Sequence, residues 1–153
     1  MARPTTLSGS KLLIELGDGN VDPGPEEFAA PCALNSTGIN LSGTTQDFEI
    51  ADCDDLDAPV FVERVISALS AGVSGSGTLA MESFDEWRDW MLSGVAKNIR
   101  VKLDTTLANN GGYFSMSAVL TTLNITRENV KGLVQVEVEL SSNGEVVWTD
   151  ASA

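Results

Sequence analysis

The 153-residue sequence contains no histidine. That absence removes the commonest general base and metal-binding side chain. It excludes serine–histidine and cysteine–histidine mechanisms. Basic residues are also scarce: nine lysines and arginines stand against 22 acids, for a formal charge of −13. Such a balance argues against a broad basic surface for nucleic acid. The excess acid serves solubility or high-salt tolerance as readily as any partner. Two cysteines occur, Cys32 and Cys53, outside any CxxC spacing, and they read as free thiols. The leading segment MARPTTLSGSK lacks the apolar core of a secretory signal. No apolar run approaches membrane-spanning length, so no membrane association is expected. The length suits one domain with a core of its own.

What is present is mostly strand pattern. Residues 1–10 are small and polar and read as a flexible N-terminal arm, followed by one domain over 11–150. KLLIEL, from Lys11 to Leu16, predicts a first strand. The turn-rich stretch 17–31 reads as a long loop. A hairpin is expected next, with arms Cys32–Leu41 and Thr45–Asp52 around Ser42-Gly43-Thr44. In its second arm Phe48 and Ile50 alternate with Asp47 and Glu49. The segment 60–82 opens ambiguously, with Phe61, Val65 and Leu69 at helical spacing, but from Leu69 the period becomes two, and 65–81 reads mostly as strand, with glycines that suit a bend. The alternation of Ile99, Val101 and Leu103 predicts another strand, and Tyr113–Thr126 a long one. Val134 to Leu140 alternates with Gln135, Glu137 and Glu139. Asn143-Gly144 predicts a closing hairpin turn.

One helix interrupts this. Ser83 and Glu86 have capping-box spacing, and Gly94 suits a left-handed C-cap. Phe84, Trp87, Trp90 and Met91 share one face; Asp85, Glu86, Arg88 and Asp89 take the other. A lone amphipathic helix must lay its aromatic face on a sheet. The fold class is therefore mainly β: a β-sandwich or half-barrel of seven to nine strands with one flanking α-helix.

Catalytic chemistry is sparse. Asp18-x-Asn20-x-Asp22 resembles the start of a calcium loop, but Pro23 stands where glycine is needed and Ala29 where the bidentate glutamate belongs. The acids Asp52, Asp54, Asp55 and Asp57 have no ligand spacing. GVSGSGT satisfies neither a nucleophile elbow nor a phosphate loop. No catalytic, cofactor or metal residue is assigned.

The order of elements carries a resemblance. KLLIEL is followed by an S/T-rich segment with a D-F-E-I arm, then by LSAGVSGSGTL, ESFDEWRDWMLSG and NIRVKL. The end reads GYFSMSAVLTTLNIT, the connector RENVKG and VQVEVELSSNGEVVW. Over about residues 11–149 this resembles the tail tube (major tail) proteins of long, non-contractile-tailed bacteriophages.

The resemblance implies a structural, non-enzymatic virion protein, assembled in the host cytoplasm and located in the tail. Six copies would form a ring, and rings would stack into a tube whose inner strands close around a lumen. Implied partners are other copies of the chain, and tape measure, tail terminator and distal tail proteins. Genomic DNA would pass without specific binding, helped by an acidic lumen. The candidate lumen-facing acids are Asp47 and Glu49, then Glu137 and Glu139. Arg100 and Lys102 are candidates to pair with acidic faces within or between subunits. The helix would flank the sheet with Phe84, Trp87 and Met91 as buried anchors. A contractile-tail or secretion-system tube is the nearest alternative; a calcium-dependent β-sandwich module is the alternative from another class.

Overall fold

The computed structural model describes residues 2–19, 25–31 and 34–152. Among these, eight strands form one antiparallel sheet and one α-helix packs against it, which is the fold class the sequence predicts. The strands are β1 (Leu12–Gly17), β2 (Phe28–Ala29), β3 (Leu34–Glu49), β4 (Val62–Thr78), β5 (Lys97–Leu103), β6 (Gly112–Thr126), β7 (Gln135–Ser142) and β8 (Val147–Asp150). Their order is β2-β1-β5-β6-β7-β4-β3, with β8 on β6.

The sheet curls on itself. Strand β6 belongs to both halves: its first part pairs with β5 and its last part with β7. The switch comes at a register shift between Leu120 and Thr122, a bulge that bends the strand. One layer is then β3, β4, β7 and the end of β6; the other is β2, β1, β5, the start of β6 and β8. The layers face each other across Ile14, Val73, Ile99, Val101, Val138 and Leu140, all nearly inaccessible to water. Gly75 sits in this contact: a methyl there would stand 3.3 Å from Leu34 Cδ1 and 3.6 Å from Ile14 Cδ1. The Thr37 hydroxyl donates to the Leu12 carbonyl at 3.2 Å, tying β3 to β1.

The helix α1 runs Met81–Ser93. Its C-terminus is as expected: Gly94 has φ 67° and its N–H donates to the Trp90 carbonyl. Its N-terminus is not. The cap residue is Ala80, without a side-chain cap. Ser83 lies inside the first turn, where its hydroxyl donates to the Ala80 carbonyl, so the capping box does not form. The buried stripe is Ser83, Trp87 and Trp90. Met91, expected as an anchor, is 38% exposed, and Phe84 is half-buried under the Arg88 guanidinium. Trp90 takes the place of Met91 because its indole N–H finds the Val95 carbonyl at 2.8 Å; a buried tryptophan needs such a partner.

Two expected turns are absent. Ser42-Gly43-Thr44 lies in the middle of β3, with Gly43 paired to Leu69. Gly43 does not adopt positive φ, so nothing turns the chain, and serine and threonine continue the strand. Asn143-Gly144 does not close a hairpin. Strands β7 and β8 lie end to end along the same edge of β6. Between them the Asn143 N–H donates to the Ser117 carbonyl at 2.7 Å, and Gly144 (φ 103°) makes the kink.

The 17–31 stretch is anchored to the sheet by β2. Glu26 accepts hydrogen bonds from the Gly19 N–H and the Asn98 amide. Asn20 and Asp22, which the calcium-loop pattern needs, lie outside the described residues. Residues 2–8 have no regular secondary structure and are exposed.

Candidate functional site

Three surfaces carry the molecule's unusual features. The first is the outward face of the β3–β4–β7–β6 layer. Period-two alternation and register place Glu137 and Glu139 of β7 beside Ser76 and Ser74 of β4, and beside Asn124 and Thr122 of β6. Ser36 and Gly38 continue this face on β3. The inward neighbours Val136, Val138 and Leu140 are buried. A sheet face this rich in small hydroxyl, amide and carboxylate groups is built to stay wet.

The second feature is a pair of open edges on that same layer. On one side β3 has β4 as its ladder partner and, among the described residues, no strand beyond it. On the other, β5 pairs with β6 only as far as Ala118. The stretch 119–126 therefore has its second edge without a ladder. Unpaired edges on both sides of one layer are a template for strand addition by further copies.

The third is a two-stranded ribbon. Residues Gly72–Thr78 of β4 pair with β7, but Val62–Ala71 pair only with β3. The ribbon therefore projects beyond the sheet by roughly 30 Å, at about 3.3 Å per residue. It carries Phe48, Val65, Ile66, Leu69 and, at its tip, Phe61, all half or more exposed. At its base a groove of about 500 Å³ is lined by Leu41, Ile66, Leu69, Phe114, Val146 and Trp148. Exposed apolar surface of this extent marks an interaction site.

No group of three or more histidine, cysteine, aspartate or glutamate residues among those described is placed to hold a metal. Among the described residues no helix is long and apolar enough to cross a membrane.

A sequence model of the phage tail tube protein matches residues 6–148. The chain belongs to the phage tail tube protein family. No curated protein sequence matches it significantly. Among solved structures it is similar to a chain from the tail of an empty gene transfer agent particle, refined helically with C6 symmetry. That likeness has 20% identity and a TM-score of 0.74, over 94% of this chain and 99% of that one. It is also similar to the SPP1 tail tube, with 10% identity and TM-score 0.65 over 95% and 80% of the two chains. A sheath–tube complex of an extracellular contractile injection system gives 16% identity and TM-score 0.62, over 95% and 93%. At these identities the likenesses establish the fold.

For a tail tube protein, the placement of the four sequence-selected acids is informative. Glu137 and Glu139 share the polar layer face. Asp47 and Glu49 do not join them. Alternation along β3 puts both on the side of Ile39 and Leu41, out on the ribbon, and Asp47 is paired with Arg64 at 3.2 Å. The sequence pattern separated acid from apolar correctly there. It could not show that this arm is a ribbon exposed on both sides. The sequence pattern showed neither the ribbon nor its apolar base groove; Val62, Ile66 and Leu69 are exposed on it.

Proposed function

We propose that this chain self-assembles into six-membered rings that stack into a tail tube, with the Glu137–Glu139 face turned toward the lumen. The observation that carries the reading is the coincidence of a wholly polar face with two open strand edges on the same layer. Strand addition edge to edge would continue that layer around a ring, and the polar face would become the inner wall. The C6 symmetry of the gene transfer agent tail supports six copies. Carboxylates on the wall repel phosphate, so DNA would slide past without binding. The ribbon and its base groove would link one ring to the next. The role is structural and non-catalytic, and the partners would be the tape measure in the lumen and the tail terminator and distal tail proteins.

A tube within a contractile system is the second reading, supported by the likeness to the sheath–tube complex. Mixing purified tubes with a candidate sheath protein separates the two. Negative-stain microscopy of the concentrated protein tests the assembly itself: rings and tubes are expected, and a uniformly monomeric field contradicts the proposal.

A further inference from the structure

Two asparagine–glycine pairs occur in the chain, Asn110-Gly111 and Asn143-Gly144. In such a pair the glycine nitrogen can attack the asparagine side-chain carbonyl carbon, because no glycine side chain obstructs the approach. The fold holds the two pairs very differently. Gly111 is buried; its N–H donates to the Thr106 carbonyl at 2.9 Å, and its carbonyl accepts the Ala151 N–H at 2.9 Å. The Asn110 N–H donates to the Leu107 carbonyl at 3.0 Å. Attack by the Gly111 nitrogen therefore requires this turn to open first.

Asn143 and Gly144 are both exposed. The Gly144 N–H has no hydrogen-bond partner among the described residues, and the space beside its Cα is open. The segment also has slack. Ser142 is paired with Ala118 and Val147 with Ser115, so residues 143–146 stand against only Met116 and Ser117 of β6. The Asn143 side chain is free to swing onto the Gly144 nitrogen without breaking the ladder on either side.

We propose that Asn143-Gly144 is a self-modification site, at which the folded chain converts Asn143 to aspartate or isoaspartate while Asn110 is protected. The Gly144 nitrogen gives up its proton and bonds to Asn143 Cγ; the bond from Cγ to the amide nitrogen breaks, and ammonia leaves. Water then opens the cyclic imide at either of its carbonyls. The proton of the new carboxyl group passes to the ammonia. Either product adds a negative charge to a chain of formal charge −13, on the rim of the groove lined by Val146 and Trp148. Isoaspartate also lengthens the main chain by a carbon just ahead of β8. The Asn143 N–H is anchored on Ser117, and Val146 packs against the core, so the extra length loosens β8. The inference concerns the single chain and stands or falls apart from the tube reading.

Incubation of the dilute, folded protein at mildly alkaline pH, which favours loss of the Gly144 proton, tests it. Peptide mapping by mass spectrometry follows both pairs in the same sample. Asn143 should convert roughly tenfold or more faster than Asn110. In guanidinium chloride, with the fold removed, the two should convert at comparable rates. In the converted chain Val147–Asp150 should lose protection from hydrogen exchange. Asn143→Gln, whose longer side chain closes a ring far more slowly, should keep that protection through the same incubation. Equal rates at the two pairs in the folded chain would overturn the proposal. So would a difference that persists in guanidinium chloride, or a β8 that stays fully protected after conversion.

Discussion

Trp87 illustrates how much one residue carries. It is 2% exposed and stacks on Trp90 with ring centroids 6.0 Å apart. Its truncation leaves a cavity between helix and sheet, so Trp87→Ala should cost about 3–5 kcal/mol in chemical denaturation. Met91→Ala, on the exposed side of the same helix, should change stability by less than about 0.5 kcal/mol. Equal losses would mean that the helix presents a different face. In the proposed tube Glu137 and Glu139 would serve function and not stability. Lysine at both positions, outward on β7, should leave the melting transition in place and make assembled tubes retain DNA at low salt, with release as salt rises. Tubes of the double variant that ignore DNA at every salt concentration would show that this face is not the lumen wall.

At the scale of elements, the helix end offers a clean backbone test. Gly94 is left-handed at φ 67° with open space where a Cβ would sit. Gly94→Ala should therefore cost about 1 kcal/mol through backbone strain alone; no loss on denaturation would contradict the cap. The ribbon offers the converse. Leu69→Asp, on a side chain 77% exposed in one chain, should spare the fold and abolish tubes, as judged by sedimentation. Full assembly of that variant would remove the ribbon base from the interface.

The elements also show what the sequence made legible. Strand periodicity located β1, β5, β6 and β7 closely, and Gly94 marked the helix end, because burial and φ act through local residues. Turn signals misled where tertiary pairing overrode them. Ser42-Gly43-Thr44 stays extended because β4 pairs along its whole length. Asn143-Gly144 becomes a kink because the same edge of β6 continues to accept β8. The exchange of Trp90 for Met91 turned on one hydrogen bond to Val95, which no helical wheel contains. The split of Asp47 from Glu137 depended on which strands lie beyond the sheet, a property of topology and not of pattern.

At the scale of the whole molecule, the curled sheet buries a core between its layers and leaves the outward face of the β3–β4–β7–β6 layer polar, with edges open and a ribbon reaching outward. A single copy would carry these as liabilities; a ring of copies gives each a use. In the proposed tube the edges would close on neighbours, the ribbon would cross to another ring, and the acidic face would enclose a path for DNA. The central claim is that this polar face becomes the lumen wall of a sixfold tube. Cryo-electron microscopy of tubes assembled from the purified chain tests it most directly. The account predicts six copies per ring with Glu137 and Glu139 lining the channel and β3 paired to the 119–126 edge of the next copy. A tube with that face turned outward, or subunits joined without strand pairing, would contradict it.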